Sequence, residues 1–243
     1  MSGVSLLKED IELGEDTITN DFYYKNNVSN ASVNVRLGFL RKVYSLLLIQ
    51  LLATISVGVA FTFNAKSDCM SITSNDWLVS LTFLFAVIIL IALHINRKSH
   101  PLNLILLAAF TVVEATTLSV VITFYDLQVV LQALVLTFVV VTSLTAFTFQ
   151  TKRDFSAIGL GLFAALLILV IASFLQLILG STFLEFLIAA GGALLFSLFI
   201  IYDTQMMMTK VSPEEYILAT INLYLDIINL FMHLLHLLEV IRR

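Results

Sequence analysis

Seven apolar blocks leave this chain one environment in which to fold. They run over residues 43–63, 77–95, 102–124, 127–149, 156–179, 184–208 and 216–240. Each approaches the ~20 residues that an α-helix needs to cross the hydrocarbon core of a bilayer. Only 12% of the 243 residues are charged and 59% are hydrophobic, and a soluble domain carries about twice that charge fraction. Lipid cannot satisfy exposed backbone polar groups, so such blocks become membrane-crossing or near-crossing helices. The expected fold is therefore an all-α integral membrane protein, with residues 36–243 forming one seven-helix domain.

Residues 1–35 are polar and acidic, with Glu9, Asp10, Glu12, Glu15, Asp16 and Asp21. They contain no apolar core of a signal peptide and read as a disordered cytosolic tail. Basic residues set the orientation. Arg36, Arg41 and Lys42 precede the first block, Arg97 and Lys98 follow the second, Lys152 and Arg153 follow the fourth, and Lys210 follows the sixth. The alternate connections hold only Lys66, which places the N-terminus in the cytosol. Asn27-Val28-Ser29 and Asn30-Ala31-Ser32 match the glycosylation pattern but would face the wrong side. Arg242 and Arg243 conflict with the charge rule if the seventh helix crosses fully, and a re-entrant helix would remove the conflict. Cys69 is the only cysteine, so no intrachain disulfide or multi-thiolate site is available.

Short connections make consecutive helices antiparallel neighbours. Ser212-Pro213-Glu214-Glu215 reads as a capping box, with Ser212 as N-cap and Glu215 reaching back to it. Ala189-Ala190-Gly191-Gly192-Ala193 is a row of small residues that admits a close neighbour.

Ionisable residues within the apolar blocks carry the chemistry, because hydrocarbon penalises each of them unless it is paired or hydrated. Asp203 lies six residues from the end of its block, roughly 9 Å deep, and Asp226 lies roughly 14 Å into the seventh helix. Their helices are antiparallel and joined by a short loop, so the carboxyls can meet. Two close carboxylates cannot both ionise cheaply in a low dielectric and would share a proton. Two polar groups bonded separately to Tyr202, Thr204 or backbone remain the alternative. Asn222, Asp226, Asn229, His233 and His236 recur at spacings of 4, 3, 4 and 3, one face of the last helix. That face is expected to point into the bundle, lining either a hydrated path or a buried network, with the last helix central. Metal binding by His233 and His236 is disfavoured, since only Glu239 lies near enough to add a ligand. Glu114 is either a further acid of the path or a residue bonded within its own helix.

The segments IIYDTQ, SPEEYILA and INLYLDIINLF, with VRLGFLRKVYSLLLIQ, RKSHPLNLILL and VVITFYDLQVVLQA, resemble the transmembrane Bax inhibitor motif family, and within it the lifeguard-4 branch. The resemblance covers the chain from about Asp21 onward. It implies a last helix surrounded by the other six and a pH-sensitive calcium leak from Golgi or endoplasmic reticulum membranes that suppresses apoptosis. It carries the di-aspartyl proton sensor onto Asp203 and Asp226, and an acid of the ion path onto Glu185. A basic latch would fall near Arg97, although INRKSH lacks the arginine run of the family pattern.

The expected path residues are thus Glu185, Asn222, Asn229 and Glu114. Calcium would touch Asp203 and Asp226 weakly or transiently, since it takes six to eight oxygen ligands and these offer only some of them. No resident cofactor is expected; calcium and protons are cargo and trigger, the bilayer is the chief partner, and cell-death regulators or calcium-release channels are further candidates. Nucleic acid and enzymatic activity are not expected. A seven-helix receptor is disfavoured by the short loops. An intramembrane aspartyl protease is disfavoured because no Gly-x-Gly precedes Leu225-Asp226. A proton-coupled calcium exchanger stays open, because a shared proton suits it equally well.

Overall fold

The computed structural model describes residues 33–64 and 76–243. The acidic tail with its two glycosylation patterns, Lys66 and Cys69 all lie outside the described residues. Seven long helices follow one another: α1 Val33–Asn64, α2 Asp76–Ile95, α3 Leu102–Ile122, α4 Leu127–Gln150, α5 Gly159–Leu179, α6 Thr182–Thr209 and α7 Tyr216–Arg242. No strand occurs among the described residues. Every helix but α2 is long and apolar enough to cross a membrane, and the described apolar part of α2 is the shorter stretch Leu84–Ile95.

Helix ends follow local chemistry. Gly180 closes α5 with φ of 59°, a left-handed conformation that costs glycine little. Ser181 then caps α6 by accepting from the Leu184 amide. At the α6–α7 loop Ser212 Oγ accepts from the Glu214 amide, with Pro213 opening the short turn Pro213–Glu215. The expected capping box is only half formed, because the Glu215 carboxylate leaves the cap and pairs with Arg97 at 3.2 Å.

α7 is the most buried helix: 67% of its most apolar stretch is enclosed, against 39% or less in the other five long apolar helices. The last helix is central, as expected, and its chief contacts are with α6, α4 and α1, with a smaller contact to α3. α2 packs on α3 and α5 on α6, as an outer layer, because each is apolar all round and can face lipid on the side away from the bundle. Many α5 side chains point outward, among them Leu177 and Ile178, each 82% exposed.

α7 is one continuous helix of 27 residues, about 40 Å long at 1.5 Å per residue, and runs from one end of the bundle to the other. At its start Lys42 Nζ sits 3.4 Å above the Tyr216 ring, and Arg97 holds Glu215. At its finish Arg242 reaches Asp126 of the α3–α4 turn at 2.8 Å. α7 is thus long enough to cross fully and has no break along its length.

The small-residue row in α6 serves this packing with one side only. Ala189, Gly192 and Ala193 are buried, whereas Gly191 is exposed and has open space around it. A Cβ on Gly192 would overlap the His233 ring, which lies stacked on Phe196 at 5.5 Å. Gly192→Ala is expected to lower stability by about 1–3 kcal/mol, seen as an earlier unfolding transition in detergent. Gly191→Ala should leave that transition unchanged or raise it slightly through better helix propensity.

Candidate functional site

The α6–α7 contact assembles most of the candidate residues. Along α6, Glu185, Gly192, Phe196 and Asp203 are spaced 7, 4 and 7 residues apart, and so lie on one face. Along α7, Asp226, His233 and His236 meet them in antiparallel order: Asp226 against Asp203, His233 against Phe196 and His236 against Glu185.

Asp203 and Asp226 bring their carboxyls close enough to interact directly. Asp226 is 7% exposed, and its Oδ2 is buried without any donor. Ionised carboxylates only accept hydrogen bonds, whereas a protonated one donates. The contact is therefore attractive when a proton lies between the two groups and repulsive when both are ionised. The neighbouring Thr204 is fully buried and gives Asp226 no bond; its own hydroxyl finds no well-formed partner.

The polar face of α7 is placed differently from expectation. Asn222 is exposed, Asn229, His233 and His236 are half-buried, and Asp226 alone is buried. The face meets α6 and is only partly enclosed, with Asn222 left open at one end. Asn229 donates to Leu225 O of its own helix at 2.8 Å. Periodicity identifies residues that share a face; it does not say which neighbour covers that face.

Glu114 belongs to another part of the molecule. It lies near Tyr224, two residues from Asp226 and hence on nearly the opposite side of α7. Tyr224 is fully buried, bonded to Thr54 Oγ1 at 2.9 Å and packed edge-on against Phe110. Gln50 donates to Thr111 at 2.8 Å, so α1, α3 and α7 share a polar seam. Arg97 pairs with Glu215, so the basic group implied near the end of α2 holds the start of α7 and not the aspartates.

Sequence reasoning missed a clasp at the far end of α7. Glu185 Oε1 lies 3.1 Å from His236 Nε2 and 3.6 Å from Arg243. Arg243 also meets Glu239 at 3.4 Å, and Arg242 meets Asp126. Tyr125 Oη and His236 Nδ1 are 3.3 Å apart. Burial pushes the Tyr125 phenol above its usual range; the Glu239 charge adds to this, Arg243 opposes it, and Glu185 adds a little more. A phenol that keeps its proton can donate to Nδ1, which puts the ring proton on Nε2, facing Glu185. The i,i+4 spacing of Glu239 and Arg243 was the only local signal of this cluster. Among the described residues no three His, Cys, Asp or Glu side chains group as a metal site.

The profile of the family described as inhibitor of apoptosis-promoting Bax1 matches residues 36–243, the whole helical domain. The chain belongs to this Bax inhibitor family. It is 47% identical over 226 residues to the Golgi anti-apoptotic protein of Vaccinia virus (strain Lister), covering 92% of this chain and 94% of the relative. It is 46% identical to mouse protein lifeguard 4, with 93% and 95% covered. It is 34% identical to Bax inhibitor 1 of Schizosaccharomyces pombe, with 94% and 86% covered. The family thus spans the Asp203–Asp226 contact and the clasp alike.

If the clasp fixes the end of α7, Glu185→Gln combined with Asp126→Asn should fray its last two turns. Hydrogen exchange at residues 236–243 should then accelerate by about tenfold or more, the loss of roughly 1–2 kcal/mol of local protection. Exchange at residues 216–230 should stay as in the parent chain.

Proposed function

We propose that this protein is a calcium leak pathway of Golgi or endoplasmic reticulum membranes, gated by protons, that lowers store calcium and so suppresses cell death. The names of the Vaccinia virus and mouse relatives support the setting. The observation that carries the gating is the carboxyl contact between Asp203 and Asp226, buried and without another donor for Asp226 Oδ2. With one proton shared, the pair holds α6 to α7. When that proton leaves, like charges in a low dielectric repel and the contact opens. The ionised pair then attracts a divalent cation, though two carboxylates fall short of a full calcium shell. This favours passage over storage.

The path in this reading follows the half-covered polar face of α7, past Asn222, the aspartate pair, Asn229 and His233, to Glu185 and His236 at the other end. Glu114, on the opposite side of α7, does not line it. With the N-terminus in the cytosol, the aspartate pair lies in the cytosolic half of the membrane and Glu185 at the luminal mouth. Calcium–proton exchange is the second reading, favoured by the same shared proton, which could be released in each cycle.

Calcium flux through the full chain in liposomes should rise as the pH on the Asp203 side is raised. Asp226→Asn supplies an amide that donates to ionised Asp203 and keeps the latch shut without a titrating proton. Such a charge-assisted bond is worth about 1.5–3 kcal/mol, so flux should fall by about ten- to a hundredfold and lose its pH response. Glu114→Gln should keep that response. Flux independent of pH and unchanged in Asp226→Asn would sink the proposal, and stoichiometric proton counter-flux would replace leak with exchange.

A further inference from the structure

α3 and α4 are joined by a short turn, yet they do not pack along their lengths. Between them, on the side of α7 away from Asp226, runs a groove of about 750 Å³. α1 and α3 form one wall, α4 the other, and Ile227, Ile228 and Phe231 of α7 the floor. Its α4 wall extends from Leu127 to Val141, about 21 Å along the helix. That exceeds the depth of one leaflet, half of a hydrocarbon core about 30 Å thick.

Four hydroxyl groups line the groove, and each is already satisfied. Thr54, Thr62, Ser119 and Thr137 donate to the carbonyls of Gln50, Gly58, Ala115 and Ala133, one turn back in their own helices. Nothing along its length asks an occupant for a hydrogen bond. The character changes at the α3–α4 turn, where the groove runs into a smaller cavity of about 150 Å³ that adds Thr123 and Tyr125 to the shared Thr62, Ile122, Leu127 and Val130. Asp126 and Arg242 pair beside this turn. A tyrosine at the end of a membrane helix belongs to the headgroup level. The site is thus apolar for one leaflet's depth and polar at its interfacial mouth.

We propose that this groove is a binding site for a glycerophospholipid, with one acyl chain lying along α4 over Ile227 and Ile228 and the ester region at Tyr125. The occupant is a lipid because the groove opens sideways from helices that face the bilayer: Leu131, Val135 and Phe138 of its α4 wall are 53%, 62% and 70% exposed. Hydrocarbon supplies no hydrophobic force between apolar surfaces, so retention rests on packing contacts and on the polar mouth. A seated chain stands in for the missing α3–α4 packing and covers the apolar side of α7. The proposal makes no use of calcium conduction or of proton gating.

The test uses the full chain in phosphatidylcholine vesicles containing a small fraction of phosphatidylcholine with a diazirine on its acyl chain. After photolysis, labelled residues are mapped by mass spectrometry. Ile227 and Ile228 are only 6% and 7% exposed, whereas Leu177 and Ile178 on α5 are each 82% exposed. Lipid that merely coats the surface labels α5 and leaves α7 blank. A seated chain should label Ile227 and Ile228 at least as strongly as the α5 residues. Ile55→Trp and Leu134→Trp, made separately at partly exposed wall positions, should each cut the α7 label several-fold and spare α5. Labelling that follows exposure alone, or α7 labelling that survives both tryptophans, would overturn the site.

Discussion

The bundle depends on the face shared by α6 and α7. Each helix carries an aspartate within its apolar stretch, where a lone charge is costly; Asp226 is buried and Asp203 partly so. Asp226 Oδ2 has no donor, so what makes the burial tolerable is the carboxyl of Asp203. Mutual need between two acids is unusual, because each is a poor partner for the other until one of them holds a proton. The close approach this requires is built into α6, where Gly192 leaves room for the His233 ring one helical stretch further along the same seam.

Much of this was legible before any coordinates. The apolar blocks predict six of the seven described helices to within a few residues, because bilayer thickness imposes a length that local sequence must meet; α1 starts ten residues before its block, in the polar stretch from Val33. The aspartate pair was legible for a topological reason: a short loop forces α6 and α7 to be antiparallel, and counting from that loop brings residues 203 and 226 to similar depth. Where contacts cross between distant segments, the reading fails. Arg97 with Glu215 and His236 with Glu185 are separated by 118 and 51 residues, and no periodicity within one helix encodes such a pairing. The polar face of α7 was grouped correctly, but spacing left its covering neighbour, α6, unspecified. Glu114 was indistinguishable from a path residue until Tyr224 showed which side of α7 it serves.

The two terminal arginines illustrate how a global rule can be met by local chemistry. Charge bias alone sets them against a fully crossing α7. The structure lets α7 cross and supplies each arginine with acids at that end: Asp126 for Arg242, and Glu185 and Glu239 for Arg243. The last turn also orients them well, since cations are favoured at a helix C-terminus. Exposed pairs of this kind add little stability individually. Gathered around Glu185 and His236 they form a network, and a network fixes position better than its separate pairs.

α7 is therefore held unevenly along its length. An ion pair and a cation–π contact secure its start, the clasp secures its finish, and the Tyr224–Thr54 bond ties its middle to α1. The Tyr224–Thr54 bond and the Tyr224–Phe110 packing on that flank do not change sign with one proton, since hydroxyl pairs and aromatic packing stay neutral across the ordinary pH range. On the α6 side the middle is held by two carboxyls, whose interaction does change sign. In the proposed gating, a helix pinned at both ends and on one flank would yield locally at the α6 seam when that proton is lost. That is where its polar face already lies half uncovered. The opposite flank meets an apolar groove, which hydrocarbon can fill and water cannot favourably enter. In the proposed gating, hydration following deprotonation would thereby be directed to the α6 side of α7.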